Sequence, residues 1–112
     1  MKQEIIQDCT PEELKERLDN GDRPILLDVR EAQELAICRL PGALHVPMGD
    51  VPSRLTELEK HAEEEIVVYC HHGVRSASVQ NYLRHHGFEC VRNLTGGIEA
   101  YAVRADPGMP RY

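Results

Sequence analysis

The stretch that most restricts what this chain can fold into is Ile66-Val67-Val68-Tyr69, which runs straight into Cys70-His71-His72-Gly73-Val74-Arg75-Ser76 and then into helical periodicity. A short β-branched apolar run has the pattern of a strand buried on both faces. A helix that begins within a few residues makes a strand-loop-helix unit. In open α/β sheets, ligands bind beyond the carboxyl ends of such strands. Cys70 therefore falls at the mouth of a sheet.

The residues around Cys70 suit a reactive thiol. A thiol is a weak nucleophile until it ionises, and thiolates are favoured beside cations and at helix N-termini, where amide protons lack partners. Arg75 and the start of the helix supply both. Gly73 lets the loop take a conformation that side chains resist, so that successive N–H groups turn inward as an anion-binding nest. The alternative is an inert buried cysteine at a strand end, because free cysteine is among the most buried residue types.

With 112 residues, the chain is expected to form one domain, long enough for a single core of one sheet with helices on it. The net charge of −6 and the lack of a basic run or aromatic ladder argue against a nucleic-acid surface. No apolar stretch reaches membrane-spanning length, and Met1-Lys2-Gln3-Glu4 lacks a signal-peptide core, so a cytoplasmic protein is expected. Cys9, Cys38, Cys70 and Cys90 include no Cys-x-x-Cys pair, so neither a zinc knuckle nor a thioredoxin motif is present. Free thiols are expected, with Cys9, Cys38 and Cys90 as small core or boundary residues.

In chain order, Glu4-Ile5-Ile6-Gln7 reads as an edge strand. Thr10 with Glu13 has the form of a capping box, Pro11 suits the first helical position, Leu14 and Leu18 share a face, and Gly21 ends the helix. Pro24 to Arg30 is apolar and then abruptly charged, the pattern of a central parallel strand with polar groups at its carboxyl end. Asp28 and Arg30 then share the rim with Cys70. They either hold the loop geometry and local charge or form an ordinary ion pair, with Glu31 and Glu34 opening a short helix. The ordinary ion pair is the favoured reading.

Leu40-Pro41-Gly42 marks a turn before a very short strand in which His45 is packed or on the surface. Asp50 to Lys60 carries Val51, Leu55 and Leu58 at helical spacing, and Glu63-Glu64-Glu65 reads as a solvated charge run. Ala77, Val79, Tyr82 and Leu83 make an amphipathic helix of roughly three turns, ended by His85, His86 and Gly87. Phe88 to Leu94 supplies a last strand, Thr95-Gly96-Gly97 turns into a short helix at Ile98 to Tyr101, and Asp106 to Tyr112 is expected to be extended. The His71-His72 and His85-His86 pairs lie at opposite ends of one helix, so a shared metal site is not expected.

Four pieces together carry a resemblance: Asp28-Val29-Arg30, Leu40-Pro41-Gly42-Ala43, Cys70-x-x-Gly73-x-Arg75-Ser76 and Asn93-Leu94-Thr95-Gly96-Gly97-Ile98. They occur in the order and spacing of a single-domain rhodanese and span nearly the whole chain. The resemblance implies an α/β fold, one rhodanese-like domain over residues 1–112, with a mostly parallel five-stranded sheet and helices on both faces. It also implies a sulfurtransferase without a cofactor. In that chemistry the Cys70 thiolate takes sulfane sulfur from a donor such as thiosulfate, becomes a persulfide and passes the outer sulfur to cyanide or a thiol. The amides of His71, His72, Gly73, Val74, Arg75 and Ser76 would cradle the persulfide, and Arg75 would orient anions.

The chain departs from the family pattern at three positions. Arg39 stands where relatives usually have histidine, Tyr101 where they often have tryptophan, and His71 where many thiosulfate-using relatives have arginine or lysine. The closing Asp106-Pro107 and Pro110-Arg111-Tyr112 resemble rhodanese modules that work beside sulfur-carrier proteins, so a sulfur-carrier or thioredoxin-like partner is an expectation too. Two rival readings stay open. One is a Cys-dependent phosphatase or arsenate reductase, whose loop has five residues between cysteine and arginine where this one has four. The other is a non-catalytic binding module on the same fold.

Overall fold

The computed structural model describes residues 7–112. Thr10 opens the first helix as its sequence pattern implies: its Oγ1 accepts from the Glu13 amide at 3.1 Å, and Pro11 begins α1 (Pro11–Asp19). The apolar run after Pro24 forms β1 (Ile25–Asp28), and α2 (Ala32–Leu35) comes after the Glu31 and Glu34 capping box. After β2 (Leu44–His45) and a 3₁₀ turn at Met48–Asp50 come α3 (Leu55–Leu58), β3 (Glu65–Tyr69), α4 (Val74–His85), β4 (Cys90–Asn93) and α5 (Gly97–Arg104).

All pairings are parallel, in the order β2-β1-β3-β4. The two central strands are apolar on both faces because helices cover both. Leu27, Val29, Ile66 and Val68 pack with Leu58, Val79, Leu83 and Phe88 on one side. Leu26, Val67 and Tyr69 pack with Leu14, Ile98 and Tyr101 on the other. This is the α/β architecture the sequence pattern implied. Among the described residues, no helix is long and apolar enough to cross a membrane.

The described sheet has four strands rather than five. Except for Gln7, the segment Glu4 to Gln7 lies outside the described residues. The adjoining Cys9 contributes one isolated parallel bridge, to Leu94, because Thr10 and Pro11 turn the chain into α1 at once.

The expected helix over Asp50 to Lys60 is also broken. Val51 and Leu58 are buried as its periodicity required, but only residues 55–58 are α-helical, between two 3₁₀ turns. Pro52 has no amide proton to continue a ladder from the preceding turn. Glu65 leaves the solvated acidic run and opens β3, where it pairs with Arg17. The tail from Asp106 is not simply extended either: the Met109 amide bonds the Asp106 carbonyl at 3.0 Å, and Tyr112 comes back against the Cys70 loop.

Candidate active site

The loop after β3 is shaped from two sides. From above, Gly73 takes a left-handed conformation (φ 102°), and α4 begins at once. The amides of Gly73 and Ser76 donate to Cys70 Sγ at 3.1 and 3.3 Å, so the cysteine sulfur fills the place of a helix cap. From below, α5 holds the loop carbonyls away from the sulfur. The Ile98 amide donates to the Cys70 carbonyl at 2.9 Å and the Glu99 amide to the His71 carbonyl at 3.0 Å. This approach is why Gly97 is glycine: its φ is +68°, and a Cβ there would lie 2.3 Å from the His71 oxygen.

Cys70 is 1% exposed. Burial pushes its thiol up, but the Ser76 hydroxyl at 3.3 Å and the amides of Ser76, Gly73 and Arg75 outweigh it, and the thiol lies below its ordinary value. The cup thus uses backbone dipoles more than a neighbouring cation. By contrast, burial together with the Glu13 carboxylate raises the Cys9 thiol to about 11.

The Arg75 guanidinium makes a bidentate pair with Glu34 at 2.7 and 2.9 Å. Glu34 is saturated: its carboxylate also accepts from the Glu31 amide at 2.9 Å and from the Tyr112 hydroxyl at 2.8 Å. Arg75 is the main cause holding this carboxyl at about 2. The Tyr112 ring stacks on His71 with centroids 3.8 Å apart, and the His72 ring lies tilted against His71 at 4.0 Å. Burial, and then the adjacent His72, keep His71 below the ordinary imidazole value. Val74 is the exposed rim of the loop, 76% accessible.

Asp28 and Arg30 do lie on the same rim, as a fully buried pair. Arg30 Nη2 reaches Asp28 Oδ2 and the Cys38 carbonyl, each at 2.7 Å, and Nη1 donates to the Tyr112 hydroxyl at 2.9 Å. The pair therefore ties the turn after α2 and the tail to the sheet. Its link to the Cys70 loop runs through Tyr112 and Glu34.

Three residues of this arrangement do not stand out in the sequence. There, Glu34 belongs only to a helix start, Asn93 only to a motif and Tyr112 only to the tail. Asn93 Nδ2 donates to the Gly73 carbonyl at 3.1 Å, and its Oδ1 accepts from the Ser76 hydroxyl at 2.6 Å. The polar character of an asparagine at the end of an apolar strand is the one signal that points to it. Among the described residues, no group of three or more His, Cys, Asp or Glu is placed to hold a metal.

A parallel α/β sheet with a cysteine sulfur capping the helix after its strand defines a class: an α/β domain whose loop cysteine is ringed by backbone amides. Comparison narrows the class. The model of the rhodanese-like domain matches residues 10–104, and the chain belongs to the rhodanese-like domain family. It is 36% identical to a sulfurtransferase of Allochromatium vinosum, over 92% of this chain and 94% of that protein. It is also 36% identical to the chloroplastic rhodanese-like/PpiC domain-containing protein 12 of Arabidopsis thaliana, but spans only 39% of that protein's length. A crystal structure of a rhodanese-like domain protein from Staphylococcus aureus matches with a TM-score of 0.79 at 30% identity, over 96% of this chain and 99% of that one.

Proposed function

We propose that this protein is a sulfurtransferase that works through a persulfide on Cys70. The observation that carries the reading is the cup: one sulfur atom, already ringed by the Gly73 and Ser76 amides, with its thiol held below the ordinary range. The Cys70 thiolate attacks the outer sulfur of a donor such as thiosulfate. A new S–S bond forms as the donor's own S–S bond breaks, and sulfite leaves with the bonding pair. Cyanide or a thiolate then attacks the outer sulfur, the bond to Cys70 breaks, and the thiolate returns. The amides that hold the thiolate are placed for the persulfide anion as well.

Cys70 is buried, and the persulfide places the transferable sulfur one bond further out, where an acceptor can meet it. A thiol on a thioredoxin-like or sulfur-carrier protein suits that geometry, with Val74 as an apolar contact beside the mouth. The pairing of Arg75 with Glu34 bears on the donor. A dianion such as thiosulfate competes with a carboxylate for that guanidinium, whereas a neutral polysulfide does not. The phosphatase reading is disfavoured by the state of Asp28, the acid the sequence nominates for its leaving group. It is buried and committed to Arg30, away from any proton transfer.

Intact mass of the purified protein, before and after thiosulfate or polysulfide and then after cyanide, tests the proposal. One sulfur atom gained and then surrendered is expected, with none gained by Cys70→Ala, which should melt close to the parent. Sulfur transfer retained by Cys70→Ala, or no uptake by the parent from either donor, would overturn it.

A further inference from the structure

Behind the cup lies a short buried chain of polar groups, Gly73 carbonyl, Asn93 amide, Ser76 hydroxyl and Cys70 sulfur. Asn93 is 8% exposed and Ser76 fully buried. The direction of each hydrogen bond is set by one fixed point. The Gly73 carbonyl can only accept, so the Asn93 group 3.1 Å from it is the NH₂. The other end of the amide is then the oxygen, which accepts from Ser76 Oγ at 2.6 Å. A hydroxyl has a single proton. With that proton on Asn93, Ser76 turns its lone pairs to Cys70 Sγ, 3.3 Å away. Lone pairs accept from a thiol S–H and repel a thiolate.

We propose that Asn93 is a positioning residue for the sulfur-transfer reaction: its side-chain carbonyl competes with the Cys70 sulfur for the one proton of Ser76. In the resting site the hydroxyl accepts from the thiol. Once the sulfur is a thiolate or a persulfide anion, the hydroxyl turns, donates its hydrogen bond to the sulfur and leaves the Asn93 oxygen. Asn93 therefore holds back part of the stabilisation the cup could give, and the site keeps more of its thiol protonated than the same amides with a free Ser76 hydroxyl would allow. The backbone supports this placement, because the Asn93 amide is itself held by Asp8 Oδ1 at 3.1 Å. The consequence for catalysis rests on the sulfurtransferase reading; the proton's position does not.

The charged and titratable groups around the cup are Arg75 on α4 with Glu34 on α2, Arg30 and Asp28 at the end of β1, His71 and His72 in the loop, Glu99 on α5 and Asp8 behind Asn93. None is altered by the variants that test the proposal. These are Asn93→Ala, Ser76→Ala and the double variant, alongside the parent. The reading is the pH dependence of iodoacetamide labelling of Cys70, followed on its peptide. Asn93→Ala frees the hydroxyl for the sulfur and is expected to lower the apparent pKa of the thiol by about one unit. In the Ser76→Ala background the same change should do nothing. An equal shift in both backgrounds would overturn the proposal, placing the effect in the Gly73 carbonyl instead. So would an upward shift, or none, in Asn93→Ala.

A measurement on the parent covers a variant that fails to fold. The Cys70 S–H stretch, isolated by infrared difference against Cys70→Ala, should lie at lower frequency in the parent than in Ser76→Ala. Identical frequencies would mean that Ser76 does not accept from the thiol. Sulfur uptake followed by mass fails or succeeds separately, so loss of the sulfurtransferase reading is distinguishable from loss of this one.

Discussion

Where Glu65 opens β3, Arg17, Arg92, Glu13 and Glu65 form a cluster of ion pairs whose side chains are between 14% and 39% exposed. At the other end of the strands, Asp28 and Arg30 form a pair that is 0% exposed. The first cluster is redundant and wet: Glu65 has two arginine partners, and water can replace either. The second is dry, and every polar atom of Arg30 is spent on something specific. Charge at the first end decorates the sheet; charge at the second builds the frame of the mouth. Losing one member should therefore cost differently at the two ends.

Arg30→Ala should show the largest effect, about 3–5 kcal/mol of stability lost in denaturant unfolding, because it strands the buried Asp28 carboxylate. A loss below about 1 kcal/mol would dissolve the distinction between the ends. Gly97→Ala comes next. It places a Cβ against the His71 and Cys70 carbonyls at a positive φ, for about 1–3 kcal/mol, and should slow sulfur transfer by displacing the loop. If stability falls and transfer does not, α5 supports the fold without shaping the cup.

Glu34 sharpens the contrast through pH. Its folded carboxyl is held at about 2, below its ordinary value of 4.5. Its contribution is therefore complete above the unfolded value and is lost as pH falls from about 4.5 towards 2. Melting temperature against pH should be flatter over that window in Glu34→Gln than in the parent; parallel curves would mean that Glu34 is not the carboxylate described. Arg17→Ala, at the wet end, should cost no more than about 1 kcal/mol. A larger loss would make that cluster a structural frame as well.

What the sequence disclosed, and what it did not, divides along the same line. The strands announced themselves because β1 and β3 are apolar on both faces, and α1 because its Thr10 cap lies three residues before the Glu13 amide that donates to it. Cys70, Gly73 and Ser76 were legible because one loop and one helix start hold them all. The described sheet has four strands where five were expected, with Glu4 to Ile6 outside the described residues, and the helix over Asp50 to Lys60 gave way around Pro52.

Glu34, Asn93 and Tyr112 were not legible as parts of the mouth. Each reaches it from another element, and no local periodicity records that Glu34 meets Arg75 or that Tyr112 meets both Glu34 and Arg30. The place of Arg75 in the loop suggests a cation for the sulfur, yet its guanidinium goes to Glu34. The contribution of this residue to the thiol comes first from its backbone amide, with the guanidinium charge acting at longer range.

Among the described residues every strand pairing in this sheet is parallel, so none of these strands is zipped to its neighbour by a hairpin. Ile25 meets Ile66 and Glu65 meets Cys90 only after long loops have closed. The cup around Cys70 needs both of those pairings, together with the docking of α5. Chemical reactivity at this sulfur is thus a late event in folding. The newly made or unfolded chain presents four ordinary cysteines, and the finished one holds the Cys70 thiol below its ordinary value. An oxidant or alkylating agent acting during folding meets no preferred target, and selective labelling of Cys70 becomes a clock for the moment the native state arrives.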